Sequence, residues 1–442
     1  MVKVISGAMA LILISSAGPL SAQSTSNQSQ PTQLNPEDID RSARFQPQAI
    51  PAVLPAPRPI QQELDSIAGP LSKIPADPLL QSDFIGPAMK PFKAGGYWLK
   101  HSILLNLGAT YTFLNQYATI TPEGVRHDQI SGRLDLNGNL VVYDHGSTAG
   151  SLALLVRSGT NIGQSQQFDL SDRLGSGMYL ECLQGGGPQL PITLNILYWR
   201  QDFLHKRLSF YVGKMHPNEF ISLSLFNNDE RSQFLNGEND GNLAIASDGT
   251  YAGGGAVQYQ FNPHLYIHAL AIDTEGGQQT DIATLADKKY LEAAEIGWFA
   301  RSPGDRYRNY RFVIWRDDTK SQGSGYGSGL AFDHELGSGW APFGRFGFAT
   351  DTGTSIKQTD TLGVVQVRPF GRHGDLFGAS FNHTEPTTHN GNHHESLFES
   401  FYRLRLTQSL EIGPDLEVDI HPTHAAKAYT TALLGARMRI IF

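Results

Sequence analysis

The closing stretch, Tyr429 to Phe442, reads YTTALLGARMRIIF, and its pattern constrains the fold more than any other part of the chain. Taken with period two, Ala432, Leu434, Ala436, Met438, Ile440 and Phe442 share one face. Thr431, Leu433, Gly435, Arg437, Arg439 and Ile441 share the other. One face is wholly apolar and the other carries two arginines. A helix through the same residues has no clean apolar stripe, because Arg437 would sit beside Leu433 and Leu434. A strand that is apolar outside and charged inside suits a transmembrane β-barrel with a wet lumen. An ordinary sandwich strand with two solvent-facing arginines fits this stretch equally well, so the rest of the chain has to decide.

The chain has 442 residues, and no segment offers the ~18 consecutive apolar residues that a membrane-crossing helix needs. Residues 1–22 supply Lys3, an apolar run from Ala8 to Ile14 and a small-residue ending at Leu20-Ser21-Ala22. That is the pattern of a secretory signal cut after Ala22. A net charge of -8 leaves no basic footprint, so a nucleic-acid partner is not expected. Cys182 is the only cysteine, which rules out disulfides within one chain and reads as a small packing residue. Residues 23–94 form a Pro/Gln-rich extension that holds half of the prolines up to Pro91 and cannot bury a core. It is expected to be a disordered or partly helical periplasmic segment, with one short amphipathic helix over Ile60 to Ile74. Residues 95–442 are expected to form a single β domain.

From Tyr97 onward, short alternating segments recur, each closed by Gly, Asn, Asp, Pro or Ser. Ser131, Arg133 and Asp135 alternate with Ile130, Leu134 and Leu136. Ser209 and Tyr211 alternate with Leu208, Phe210 and Val212, and Glu295 lies between Ala294 and Ile296. Glu399, Phe401, Arg403 and Arg405 alternate with Phe398, Tyr402, Leu404 and Leu406; Glu417 and Asp419 alternate with Leu416, Val418 and Ile420. About 345 residues at roughly 20 per strand and connection give about 16 to 18 strands, enough to enclose an aqueous channel. The fold class is therefore all-β, a transmembrane antiparallel barrel. Asn227 to Thr250 and Asn382 to Ser396 read as long polar connections, and Gly413-Pro414-Asp415 reads as a tight join. Long loops on one side and short turns on the other are the asymmetry of outer-membrane barrels.

These residues resemble the carbohydrate-selective porin family, or OprB family, from about Gly95 to Phe442. The resemblance is carried by Tyr198-Trp199-Arg200-Gln201 with Phe203, Gly213-Lys214, Glu295-Ile296 with Trp298, and Trp340-Ala341-Pro342-Phe343 with Arg345 and Gly347. The closing run adds Glu399, Phe401-Tyr402-Arg403, Leu406-Thr407, Pro414-Asp415-Leu416, Pro422, Gly435-Ala436-Arg437 and Phe442. It implies a sixteen-stranded outer-membrane barrel that passes sugars by diffusion, with inward-folded loops and charged residues narrowing the pore. A departure is Trp315-Arg316-Asp317, where the family pattern has a histidine in the middle. Implied partners are small sugars, outer-membrane lipids and lipopolysaccharide, and the barrel assembly machinery through Phe442. Monomer and homotrimer both stay open.

A passage needs no reaction, and no cofactor, metal or catalytic set is expected. The candidate lumen-lining residues are Arg133, Asp135, Glu181, Arg200, Glu295, Arg345, Glu399, Arg403, Arg405, Glu417, Asp419, Arg437 and Arg439. Guanidinium and carboxylate groups exchange hydrogen bonds with sugar hydroxyls at little net cost, which favours weak binding and release. The alternating signs of Arg403 and Arg405, Glu417 and Asp419, and Arg437 and Arg439 also suggest cross-strand pairs that brace the wall. Tyr198, Trp199 and Tyr211 are candidates to stack on sugar rings, with the facing of Trp199 ambiguous, while Trp298 and Trp340 read as interfacial girdle. His383, His389, His393 and His394 lack the spacing of a structural zinc site, and Glu238-Asn239-Asp240 lacks that of a calcium loop. The rival readings are a structural barrel or adhesin working through its loops, a less selective diffusion porin, and a barrel hydrolase.

Overall fold

Period-two patterning is the rule across the whole sheet. The computed structural model describes residues 78–162, 170–178, 192–245, 251–262, 264–277, 283–300, 307–319, 323–350, 354–372, 374–387 and 392–442. All of them belong to one compact unit, Ala52–Phe442. The signal segment, most of the extension with its Ile60 to Ile74 helix, and Glu181, Cys182 and His389 lie outside the described residues.

One helix, α1 (Gly86–Ile103), leads into sixteen strands. They are β1 (Leu105–Ala118), β2 (Asp128–Asp144), β3 (Ala149–Asn161), β4 (Thr193–Phe203), β5 (Leu208–Met215), β6 (Ala252–Gln260), β7 (Leu265–Asp273) and β8 (Tyr290–Ala300). There follow β9 (Arg308–Thr319), β10 (Gly323–His334), β11 (Trp340–Ala349), β12 (Ile356–Val367), β13 (Leu376–Pro386), β14 (Glu395–Arg405), β15 (Leu410–Ile420) and β16 (Thr430–Ile441). Each pairs antiparallel with its sequence neighbours, and β16 closes on β1, with Thr110 opposite Ile441 and Ala118 opposite Leu433. The sheet has no edge left unpaired, as hydrocarbon requires. Among the described residues no helix is long and apolar enough to cross a membrane.

β9 shows why the sheet rolls up with this handedness of faces. Asn309, Arg311, Val313, Trp315 and Asp317 are buried toward the interior, while Tyr310, Phe312 and Ile314 are exposed on the outside. β16 repeats it, with Arg437 and Arg439 inward. Turned outward, each arginine would cost about 2 to 4 kcal/mol at the bilayer midplane. Arg316, the departure from the family pattern, faces outward and pairs with Asp318 at 3.0 Å, so it adds no charge to the lumen.

Short connections at 145–148, 204–207, 261–264 and 406–409 gather at the end that also holds the carboxyl terminus. Trp298 and Tyr310, 5.8 Å apart, face outward at this end together with Trp340. Connections 162–192 and 216–251 leave from the opposite end. Two connections differ from expectation. Gly413-Pro414-Asp415 is no turn; it lies inside β15, where Pro414 faces Ala436 and the ladder to β14 is interrupted between Phe401–Asp415 and Leu404–Ile412. Proline has no N–H for that ladder, and a Cβ on Gly413 would stand 1.9 Å from the Tyr402 carbonyl oxygen, so only glycine fits. The long loop expected over Asn382 to Ser396 shrinks because β13 runs on to Pro386 and β14 starts at Glu395.

Candidate functional site

The polar stretch between β5 and β6 enters the barrel instead of covering it. From Pro217 to Ile245 nearly every side chain is buried, although the sequence here is rich in Asn, Asp, Glu and Ser. Such a segment is buried only where its backbone groups find partners. The wall supplies them. Arg345 on β11 is 1 % exposed and donates to the carbonyls of Glu238 (2.7 Å), Gly241 (2.6 Å), Ser222 (3.0 Å) and Asn227 (3.4 Å) and to Asn228 Oδ1 (2.6 Å). Glu399 on β14 is the complementary anchor, accepting from the backbone N–H of Leu235 (2.5 Å) and Asn236 (3.1 Å) and from Asn236 Nδ2 (2.6 Å). Glu295 accepts from Ser222 N at 2.6 Å, and Ser224 donates to Asp333 at 2.6 Å.

Within the segment a short helix, α2 (Gly237–Asp240), is capped by Asn236, whose Oδ1 accepts from Asn239 N at 3.0 Å. Apolar side chains hold its two flanks. Phe220, Ile221 and Ile245 join Tyr198, Tyr211, Leu270, Val313 and Trp315, and Phe226 and Phe234 join Tyr266, Tyr307, Phe343 and Phe401. Burying an aromatic or large aliphatic group contributes roughly 1.5 to 3 kcal/mol, so these five anchor the segment as firmly as its hydrogen bonds do.

A charge network closes over the β2 and β3 side. Arg133 bonds Asp135 at 3.1 Å and also Glu230; Arg157 bonds Asp135 at 2.9 Å; Arg231 bonds Asp229 at 2.5 Å; and Arg437 donates to the Glu230 carbonyl at 2.7 Å. Burial alone would push Glu230 up, but Arg133, Arg157 and Arg231 hold its carboxyl well below the usual range. Glu238, buried beneath Arg345, is raised to about 7, burial outweighing the arginine. Glu219 is raised to about 8 by burial, partly offset by Arg157.

A second segment, 170–178 with the short helix α3 (Leu170–Leu174), crosses to β14, β16 and the connection between β15 and β16. Glu395 accepts from Gly177 N at 2.9 Å and from Thr423 N at 2.8 Å, and Tyr429 donates to the Leu174 carbonyl at 2.6 Å. Gly175 has φ 72°, and a Cβ there would meet Ala425 N at 2.8 Å. The Gly237 N–H donates to the Met178 carbonyl at 3.0 Å, which ties the two inward segments together.

All the described charged candidates from the sequence face inward. Arg133, Asp135, Glu295, Arg345, Glu399, Arg437 and Arg439 contact or lie under the 217–245 segment, whereas Arg200 and Arg405, and Arg403 despite its bond to the Ser232 carbonyl at 3.5 Å, keep part of their side chains open to water. Arg200 pairs with Asp202 at 2.8 Å. Glu417 accepts from Gln116 at 3.0 Å, and Asp419 is buried nearby. The expected pairing of Glu417 and Asp419 with arginines does not occur, because the register sets Glu417 opposite Glu399 and Leu433, and Asp419 opposite Leu397 and Thr431. Their place is taken by Glu411, which binds Arg405 at 2.7 Å, Arg439 at 3.6 Å and Arg403 at 3.9 Å. Its even spacing from Asp415, Glu417 and Asp419 was the available signal.

Of the aromatic candidates, Tyr198 and Tyr211 point inward and pack edge to face at 5.7 Å, both against Phe220. Trp199 is on the outer face beside Tyr143. His383 stacks on His394 at 5.2 Å and contacts Ser396, and among the described residues no group of three His, Cys, Asp or Glu is arranged to hold a metal ion. What the sequence reading missed is the segment's own contribution: Asp229, Glu230, Arg231, Asn236 and Glu238 line no loop tip but the interior.

Comparison with known proteins gives three findings. The model of the carbohydrate-selective porin, OprB family, matches residues 153–342 and 331–442. The chain is 27% identical over 257 residues to a porin AaxA of Chlamydia abortus, covering 55% of this chain and 56% of that one, and 26% identical over 261 residues to a porin AaxA of Chlamydia felis. It thus spans little more than half the length of these curated relatives. The high-pH structure of Pseudomonas putida OprB has the same fold, with a TM-score of 0.64 over 83% of this chain and 99% of that one at 13% identity.

Proposed function

The chain belongs to the carbohydrate-selective porin, OprB, family and is a β-barrel of the bacterial outer membrane, and on that premise we propose that it passes small sugars through its lumen by passive diffusion. The observation that carries the reading is the 217–245 segment, pinned across the bore by Arg345 and Glu399. A tether with this many buried bonds narrows a passage permanently instead of opening and shutting it. In this reading the buried wall charges shape the constriction, and the partly open Arg200, Arg403 and Arg405 meet the solute. Guanidinium groups offer fixed donors to sugar hydroxyls and release them readily, since water replaces each bond at little cost. No reaction is assigned to the lumen, and Phe442 is read as the end presented to the barrel assembly machinery.

Liposome swelling tests the proposal, with glucose, larger oligosaccharides and a charged solute of similar size. Faster entry of glucose than of the charged solute, with a cutoff among the oligosaccharides, is expected. Entry that follows size alone would keep the pore and reject sugar preference; no entry of any solute would reject the passage.

A further inference from the structure

The outer wall of the barrel carries a recess over β12 to β16, beside the short connection from β12 to β13, with a volume of about 610 Å³. That lies within the range of roughly 300 to 1,000 Å³ found for small-molecule sites. Phe377, Tyr402, Leu416 and Leu434 border it on the strands, and Pro369 and Phe370 border it on the connection. Ser400 also lines it and stands opposite Ala379 on one side and Leu416 on the other, so large side chains give way to small ones here. The recess coincides with the gap in the β14 to β15 ladder at Pro414, between the pairs Phe401–Asp415 and Leu404–Ile412.

We propose that this recess holds one acyl chain of a glycerophospholipid whose phosphate meets Arg368. The inference depends on the membrane location and not on what passes through the lumen. Three observations select that occupant. First, the recess continues the outward apolar band: Leu434, which lines it, is 53% exposed, and Phe381 and Phe398 lie further along the same face. Hydrocarbon bathes that band, so an apolar chain fills the recess and a polar solute does not. Second, the recess sits at the short-turn end, which in outer-membrane barrels is periplasmic, and the leaflet on that side is built of phospholipid. Third, the connection supplies the complementary charge. Arg368 directly precedes Pro369, and among the described residues its guanidinium has no ion pair or hydrogen bond, whereas Arg372 is held by Asp375 at 2.7 Å. A guanidinium matches the geometry of a phosphate. Arg368 and Phe370 both have left-handed backbone, with φ of 67° and 55°, which is uncommon outside glycine. Held so, Phe370 is 88% exposed, with its ring 6.3 Å from that of Tyr402. The turn thus presents a cation and an aromatic ring together at the membrane boundary, above a recess in the hydrocarbon zone.

The test is native mass spectrometry of the full chain in detergent, mixed with phosphatidylglycerol, phosphatidylethanolamine or phosphate-free diacylglycerol of the same acyl chains. Heat-modifiable gel mobility confirms that the barrel is folded in each variant. Ser400→Trp fills the recess, and Ser328→Trp places the same ring on the outer face of β10 between Ile314 and Phe348 as a control. The parent and Ser328→Trp are expected to retain one phospholipid per barrel, and Ser400→Trp and Phe370→Ala to retain severalfold less. Arg368→Gln should bring phospholipid retention down to that of diacylglycerol and leave diacylglycerol retention unchanged. Equal retention by Ser400→Trp and Ser328→Trp overturns the proposal, because the lipid would then be scattered over the wall. Oligomers that fall apart in Ser400→Trp also overturn it, because a second copy would then cover the recess. A parent that keeps no lipid yet admits sugar into liposomes refutes the lipid site alone.

Discussion

Arg345 concentrates the physics of the lumen in one side chain. It sits almost fully buried among five acceptors, four of them backbone carbonyls, and removing it orphans groups that each cost about 1 to 3 kcal/mol when left unpaired. Arg345→Ala is expected to leave the barrel folded and to give larger, noisier single-channel currents; traces identical to the parent would remove Arg345 as the tether. Glu238, close beside it, predicts a pH dependence. Its carboxyl is raised from 4.5 to about 7, so the docked segment holds that proton more tightly than an undocked one. The contribution is complete below about pH 4.5 and is lost as pH rises through about 7. Current noise should therefore increase between pH 5 and 8 in the parent and stay flat in Glu238→Gln. Noise that rises equally in both would assign the effect elsewhere.

At the scale of elements, the closing strands show how register decides partners that composition only suggests. Arginines on β14 and β16 flank carboxylates on β15, yet antiparallel pairing brings Glu411, not Glu417 or Asp419, between Arg403, Arg405 and Arg439. Glu411→Gln leaves three guanidinium groups without their shared carboxylate. The reversal potential in a KCl gradient should then shift toward anions; an unchanged potential would mean that this cluster does not face the ion path. β15 carries a second lesson. Gly-Pro-Asp has the composition of a turn, and it remains a strand because the neighbouring pairs on both sides, Phe401–Asp415 and Leu404–Ile412, hold the register across the missing donor.

For the whole molecule, the barrel and the inward segment are separable in cause. The wall closes through sequential antiparallel pairing from β1 to β16, and none of those ladders includes residues 217–245. Replacing 217–245 by a short Gly-Ser link should thus preserve heat-modifiable mobility while raising conductance severalfold and abolishing discrimination among solutes in swelling assays. Loss of the folded band would show instead that the segment is part of the core that holds the wall together.

How much of this was legible before the fold was known follows from the range of the forces involved. Period-two alternation is local, so the strands, the facing of Arg437 and Arg439 and the outward apolar band could be read from residues two apart. The closing aromatic strand, a size of about 16 to 18 strands and the short-turn side came with them, and the family resemblance narrowed the count to sixteen. What only the tertiary structure decided is long-range: which carboxylate meets which arginine, and where a polar connection of unremarkable composition goes. Residues 217–245 look like a solvated loop because their donors and acceptors find partners on β2, β3, β8, β10 to β14 and β16, more than a hundred positions away in several cases. Burial of a polar chain depends on a matching wall, and that wall exists only after the sheet has closed.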